Sequence, residues 1–61
     1  KEIYKVLNSL PKEYRVPFMM HLSGFKYREI AEKLSLPLGT VKSRINSSRI
    51  LLKDVLKDYL Q

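Results

Sequence analysis

The residues able to do chemistry lie between positions 26 and 49. Lys42, Ser43, Asn46 and Ser47 are groups that read base edges: an asparagine amide fits adenine bidentately, a lysine donates to guanine, and serines accept several partners. Around them Lys26, Arg28, Thr40, Arg44 and Arg49 supply cations and a hydroxyl of the kind that meets phosphate oxygens. Recognition is the chemistry on offer, not bond making. The chain has one histidine, no cysteine, no Gly-rich phosphate loop and no paired carboxylates in a plausible pocket, so no enzyme, metal or cofactor is expected. His21 lacks Cys, Asp or Glu at ligand spacing and is expected at an ordinary surface or interface position.

Two amphipathic runs must hold these groups. Tyr27–Leu34 is followed by the short break Ser35-Leu36-Pro37, and a second run opens at Leu38. The break leaves room only for a sharp corner, and Pro37, which cannot donate a helical bond, fits the first turn of a new helix. Two helices meeting steeply make a helix-turn-helix, whose second helix enters a DNA major groove. At about 100° per residue, Ile45, Ser48, Leu52, Val55, Leu56 and Tyr59 fall within about 60° of Val41, giving a stripe to bury. Gly39, Lys42, Ser43, Asn46, Ser47 and Ile50 fall on the far side. Residues 35–52 contain no acid at all, as suits a surface that follows a phosphate backbone. Lys42, Ser43, Asn46 and Ser47 are therefore the candidate base readers. Lys26, Arg28, Thr40, Arg44 and Arg49 are the candidate backbone contacts.

The rest of the chain supports this unit. Ile3, Val6, Leu7 and Leu10 have helical spacing, with Tyr4 and Lys5 facing outward. Pro11 can open the next helix, in which Pro17 removes the bond to the Glu13 carbonyl and predicts a bend near residues 13–16. Phe18, Met19 and Leu22 are expected to supply its core face. Gly24 suits a left-handed helix end, and Phe25 then packs under the corner. Lys26 stands where a Ser, Thr or Asp normally caps the following helix, and with Arg28 it makes that N-terminus attractive to phosphate. Ile30, Ala31 and Leu34 point inward, and Glu29 with Lys33 forms an i,i+4 pair. A final helix over residues 38–59 would be about 33 Å long, more than a groove needs, so its second half packs on the first two helices or offers a dimer or partner surface. The fold class is all-α, with four helices at about 2–9, 12–22, 27–34 and 38–59.

Sixty-one residues make one domain, which buries only about 60% of the surface its unfolded chain exposes. The net charge of +6 is concentrated in residues 26–50, which hold six basic and two acidic groups. Without cysteine there is neither a disulfide framework nor a thiolate site, and a reducing cytoplasm is the simplest setting. The longest apolar run, residues 16–20, is far too short to span a bilayer, so a soluble protein is expected. A chain opening on Lys1 is read as a piece of a longer one.

The segments LPKEYRVPF, GFKYREIAEKL and GTVKSRI, spread from residue 10 to residue 52, resemble the C-terminal region-four domain of bacterial RNA polymerase sigma factors of the extracytoplasmic-function type. The pairing of the first motif with GTVKSR at this separation is much narrower than a helix-turn-helix alone. The resemblance implies a compact four-helix domain that binds the promoter −35 element and contacts the flap of the polymerase β subunit, with a separate N-terminal sigma domain and an anti-sigma protein as further expectations. Two positions depart from it. Ser47 stands where many members carry an arginine, and Lys26 where many carry a serine cap. Two other readings compete: the DNA-binding effector domain of a response regulator, which would dimerise, and a protein-interaction domain whose main ligand is polymerase or an anti-sigma factor. The isolated domain is expected to be monomeric.

Overall fold

The computed structural model describes residues 2–59, and the side chains of residues 4–54 and 57 among them. Four helices follow one another: α1 Glu2–Asn8, α2 Lys12–Leu22, α3 Tyr27–Leu34 and α4 Leu38–Tyr59. No strand occurs among the described residues. The long α4 is the spine, packing against all three others and most extensively against α2. Its stripe does what the angular arithmetic requires: Val41 and Ile45 are fully buried and Leu52 nearly so, together with Ile30 of α3, Phe18 of α2, and Val6, Leu7 and Leu10 from the N-terminal segment. Removing each such side chain from water contributes about 1.5–3 kcal/mol. Ile3, Val55, Leu56 and Tyr59, expected in the same core, lie outside the described side chains.

Among the described residues, one polar side chain sits in that core. The Ser48 hydroxyl is fully buried and lies 2.8 Å from the Arg44 carbonyl and 3.2 Å from the Tyr14 carbonyl, so it satisfies itself on α4 or ties α4 to α2. Arg15 also joins helices, since its Nη1 donates to the Asn8 carbonyl at 3.3 Å and so reaches the open C-terminal end of α1.

The core face of α2 differs from the expectation. Phe18 is buried, but Met19 is 36% and Leu22 60% exposed, and Met20 packs on the core in their place. The reason is Pro17: its ring is fully buried, which turns the Pro17–Phe18 edge inward and swings Met19 and Leu22 away. α2 runs through Pro17 as one helix, and its regular pattern starts after Pro11. Pro11 itself has ψ 146, outside helical values, and its carbonyl accepts from Tyr14 and Arg15 at 3.0 and 2.9 Å. It is therefore the residue before the helix and not the first one in it.

Two helix ends share one hydrogen-bond pattern. After α2, Gly24 at φ 102 lets its N–H reach the His21 carbonyl and lets Phe25 N–H reach the Met20 carbonyl, each at 3.1 Å. After α3, Ser35 at φ 55 does the same, with Ser35 N–H to Glu32 at 3.3 Å and Leu36 N–H to Ala31 at 2.9 Å. The second end uses a residue that pays for the left-handed conformation sterically.

Candidate nucleic-acid interface

The corner between α3 and α4 fixes how α4 is presented. Ser35 turns the chain, and the Pro37 carbonyl accepts from Thr40 N–H at 3.0 Å and Val41 N–H at 3.2 Å. Pro37 thus precedes α4, as Pro11 precedes α2, instead of standing in its first turn. The amides of Leu38 and Gly39 are left in the opening turn, where no acidic residue opposes an incoming anion. A Cβ built on Gly39 would meet nothing within 4 Å, so the fold itself does not require glycine there.

With Val41 and Ile45 locked inside, Lys42, Ser43 and Asn46 are exposed on the opposite side of α4, and Ser47 is half-buried at its margin. Ile50, 60% exposed, continues that side as an apolar residue. The proposed backbone groups are spread around it. Lys26 and Arg28 are exposed at the start of α3, Thr40 is half-buried in the first turn of α4, and Arg49 is exposed farther along. Arg44 departs from the group. It is half-buried and lines an open groove with Lys12, Glu13, Val16, Pro17, Leu34 and Leu36, on the flank of α4 opposite to Arg49.

The start of α3 is better built than its sequence suggests. Lys26 offers no acceptor and cannot cap, but Glu29 Oε1 accepts the Lys26 backbone N–H at 2.8 Å, which supplies half of a capping box. Glu29 is consequently not paired with Lys33 as expected; the Lys33 ammonium lies 5.4 Å above the centre of the Phe25 ring. With the Glu29 carboxylate turned to the backbone, Lys26 and Arg28 both stay exposed as cations at the start of α3. Sequence reasoning also missed a contact at His21. Its ring meets Tyr27 at a centroid distance of 5.0 Å, and its Nε2 lies 3.2 Å from Nη2 of Arg49. Arginine and histidine at a separation of 28 residues carry no local signal.

Residues 1–52 match the family model described as sigma-70, region 4. The chain belongs to the sigma-70 region 4 family. This family is not enzymatic, and its members bind the promoter −35 element. The region 4 domain is 39% identical over 59 residues to the ECF RNA polymerase sigma factor SigE of Mycolicibacterium smegmatis, covering 95% of this chain and 23% of that protein. It is 38% identical over 48 residues to the ECF RNA polymerase sigma-E factors of Escherichia coli K12 and Salmonella typhimurium LT2, covering 77% of this chain and 25% of theirs. It thus spans about a quarter of the length of these relatives. No solved structure matches it significantly. Family membership sets aside the response-regulator reading, and the all-α four-helix architecture agrees with it. Among the described residues no helix is long and apolar enough to cross a membrane.

Proposed function

We propose that this region 4 domain binds double-stranded promoter DNA at the −35 element, in the cytoplasm, as part of a sigma factor that directs RNA polymerase to initiation. The observation that carries the reading is the division of α4. A fully buried Val41–Ile45–Ser48 stripe fixes its rotation, and that rotation exposes Lys42, Ser43 and Asn46 on a surface without a carboxylate from residue 35 to residue 52. Lys42, Ser43 and Asn46 read base edges, with Ser47 at the margin of the groove. Lys26, Arg28, Thr40 and Arg49 hold the phosphate backbone. Arg44, half inside the groove beside α2, reaches a phosphate only along its outer edge.

The core-enzyme partner in this reading is the β flap, an anti-sigma factor is a further ligand, and the domain on its own is a monomer. Footprinting of the complete factor with core polymerase on genomic promoters tests the proposal. Protection of the −35 region that disappears with the double substitution Lys42→Ala and Asn46→Ala is the expected result. Protection unchanged by that substitution, together with undiminished capture of the β flap, would instead make this a protein-interaction domain.

A further inference from the structure

Three helices meet at the imidazole of His21. It projects from the last turn of α2, its ring lies against Tyr27 at the start of α3 with the planes inclined by 52°, and its Nε2 contacts Nη2 of Arg49 on α4 at 3.2 Å. Nδ1 is buried and has no partner among the described residues. A guanidinium has donors and no acceptor, so the contact is a hydrogen bond only when Nε2 accepts and the ring hydrogen resides on Nδ1. The imidazole is half-buried whereas Arg49 is exposed. An exposed arginine ordinarily samples many rotamers, and one bond to an anchored ring removes much of that freedom before any ligand arrives.

The direction in which Arg49 is held matters. By helical geometry it lies about 80° around α4 from Val41, on the same side as Lys42 at about 100° but two turns beyond it, and about one turn beyond Asn46 at about 140°. The remaining guanidinium N–H groups thus stand at the edge of the base-reading surface. Tyr27, which sets the plane of the histidine ring, is flanked in the chain by Lys26 and Arg28. One imidazole therefore ties the cation on α4 to the segment bearing the two cations of α3.

We infer that His21 is a positioning residue for DNA binding: it holds the Arg49 guanidinium, through Nε2, in the orientation that meets a phosphate. This rests on the proposed phosphate role of Arg49. The histidine itself touches no DNA. Its contribution is an affinity gain on every sequence, because a phosphate contact carries no base information.

Asparagine and glutamine separate this role from packing. A His21→Gln side chain can place its amide oxygen near the position of Nε2, whereas His21→Asn reaches only as far as Nδ1. Binding of the purified chain would be measured as a function of salt on a duplex enriched by in vitro selection with the wild type, and on its scrambled counterpart. Melting curves would accompany each variant, with His21→Ser replacing the asparagine variant should that one melt below the assay temperature. His21→Asn is expected to weaken binding to both duplexes by roughly threefold to tenfold, the scale of ordering one rotamer-rich side chain. His21→Gln should stay within about twofold of wild type, and His21→Asn should cost nothing further when Arg49 is already alanine. Equal losses for the two histidine variants, or a loss from His21→Asn that persists in full beside Arg49→Ala, would overturn the inference alone. Wild-type affinity and salt slope in Arg49→Ala itself would remove the phosphate role of Arg49 and the inference with it.

Discussion

The two sides of α4 are made of the same backbone and answer to different constraints. On one, Val41, Ile45, Ser48 and Leu52 are buried against α1, α2 and α3, and each makes its contacts as soon as the chain folds. On the other, Lys42, Ser43 and Asn46 are exposed and contribute little to the folded state. A domain this small has little stability to spare, yet it places its recognition groups on the helix that supplies much of its core. The comparison teaches that stability and affinity are separable by helix face at one-residue resolution. Neighbours such as Ile45 and Asn46 should fail in different assays.

The largest effect should come from the buried side. Ile45→Ala removes a fully buried branched side chain and should lower unfolding stability by about 2–5 kcal/mol, seen as a lower denaturant midpoint with an unchanged slope. At temperatures where that variant is still folded, its DNA affinity should match wild type. A loss of binding by the fully folded variant would show that the two faces are not independent. Next in size is Asn46→Ala, which should relax preference at one base pair by about 1–3 kcal/mol and leave stability within about 0.5 kcal/mol. Equal losses on matched and scrambled duplexes would remove Asn46 from the base-reading set.

Arg28→Ala should have a smaller and more uniform effect. Its side chain is exposed at the start of α3, away from the base-reading turns, so its removal should weaken binding on all sequences alike and reduce the salt slope by about 1. A sequence-dependent loss would move Arg28 from backbone to base contact and blur the division of labour between α3 and α4.

What the sequence made legible follows from the range of its signals. The stripe on α4 is periodic and the opposite side is free of acid, so both could be read from spacing alone. Gly24 announced its left-handed turn because glycine is the usual occupant. Other features depend on contacts distant in the chain. Met19 and Leu22 fit the spacing of a core face, but burial of Pro17 rotated them outward, a choice made by packing between helices and not by the periodicity of α2. Glu29 had two partners within reach, and the Lys26 amide outcompeted the Lys33 ammonium. The Ser48 hydroxyl beside the Tyr14 carbonyl and the His21–Arg49 contact join residues 34 and 28 positions apart, beyond any local pattern. For the site residues spacing sets Arg44 and Arg49 on different flanks of α4, but which flank lies in the groove beside α2 is decided by packing between helices, so both read as backbone contacts.

The smallest effect tests the hinge between the two sides. Ser35 holds φ 55 at the corner that sets how α4 leaves α3, and no glycine helps it as Gly24 helps the preceding corner. The left-handed conformation costs an L-residue about 1–2 kcal/mol, while glycine adds about 0.5–1 kcal/mol of unfolded-state entropy. Ser35→Gly should therefore raise stability by a few tenths to about 1 kcal/mol, seen as a higher denaturant midpoint. Because the hydrogen bonds from Ser35 to Glu32 and from Leu36 to Ala31 are made by the backbone, they survive the change and α4 keeps its rotation. DNA affinity should then stay at the wild-type value. A variant that gains stability but loses affinity would mean that the stiffness of a serine at this corner, and not burial of the stripe alone, keeps Lys42 and Asn46 aimed at the groove.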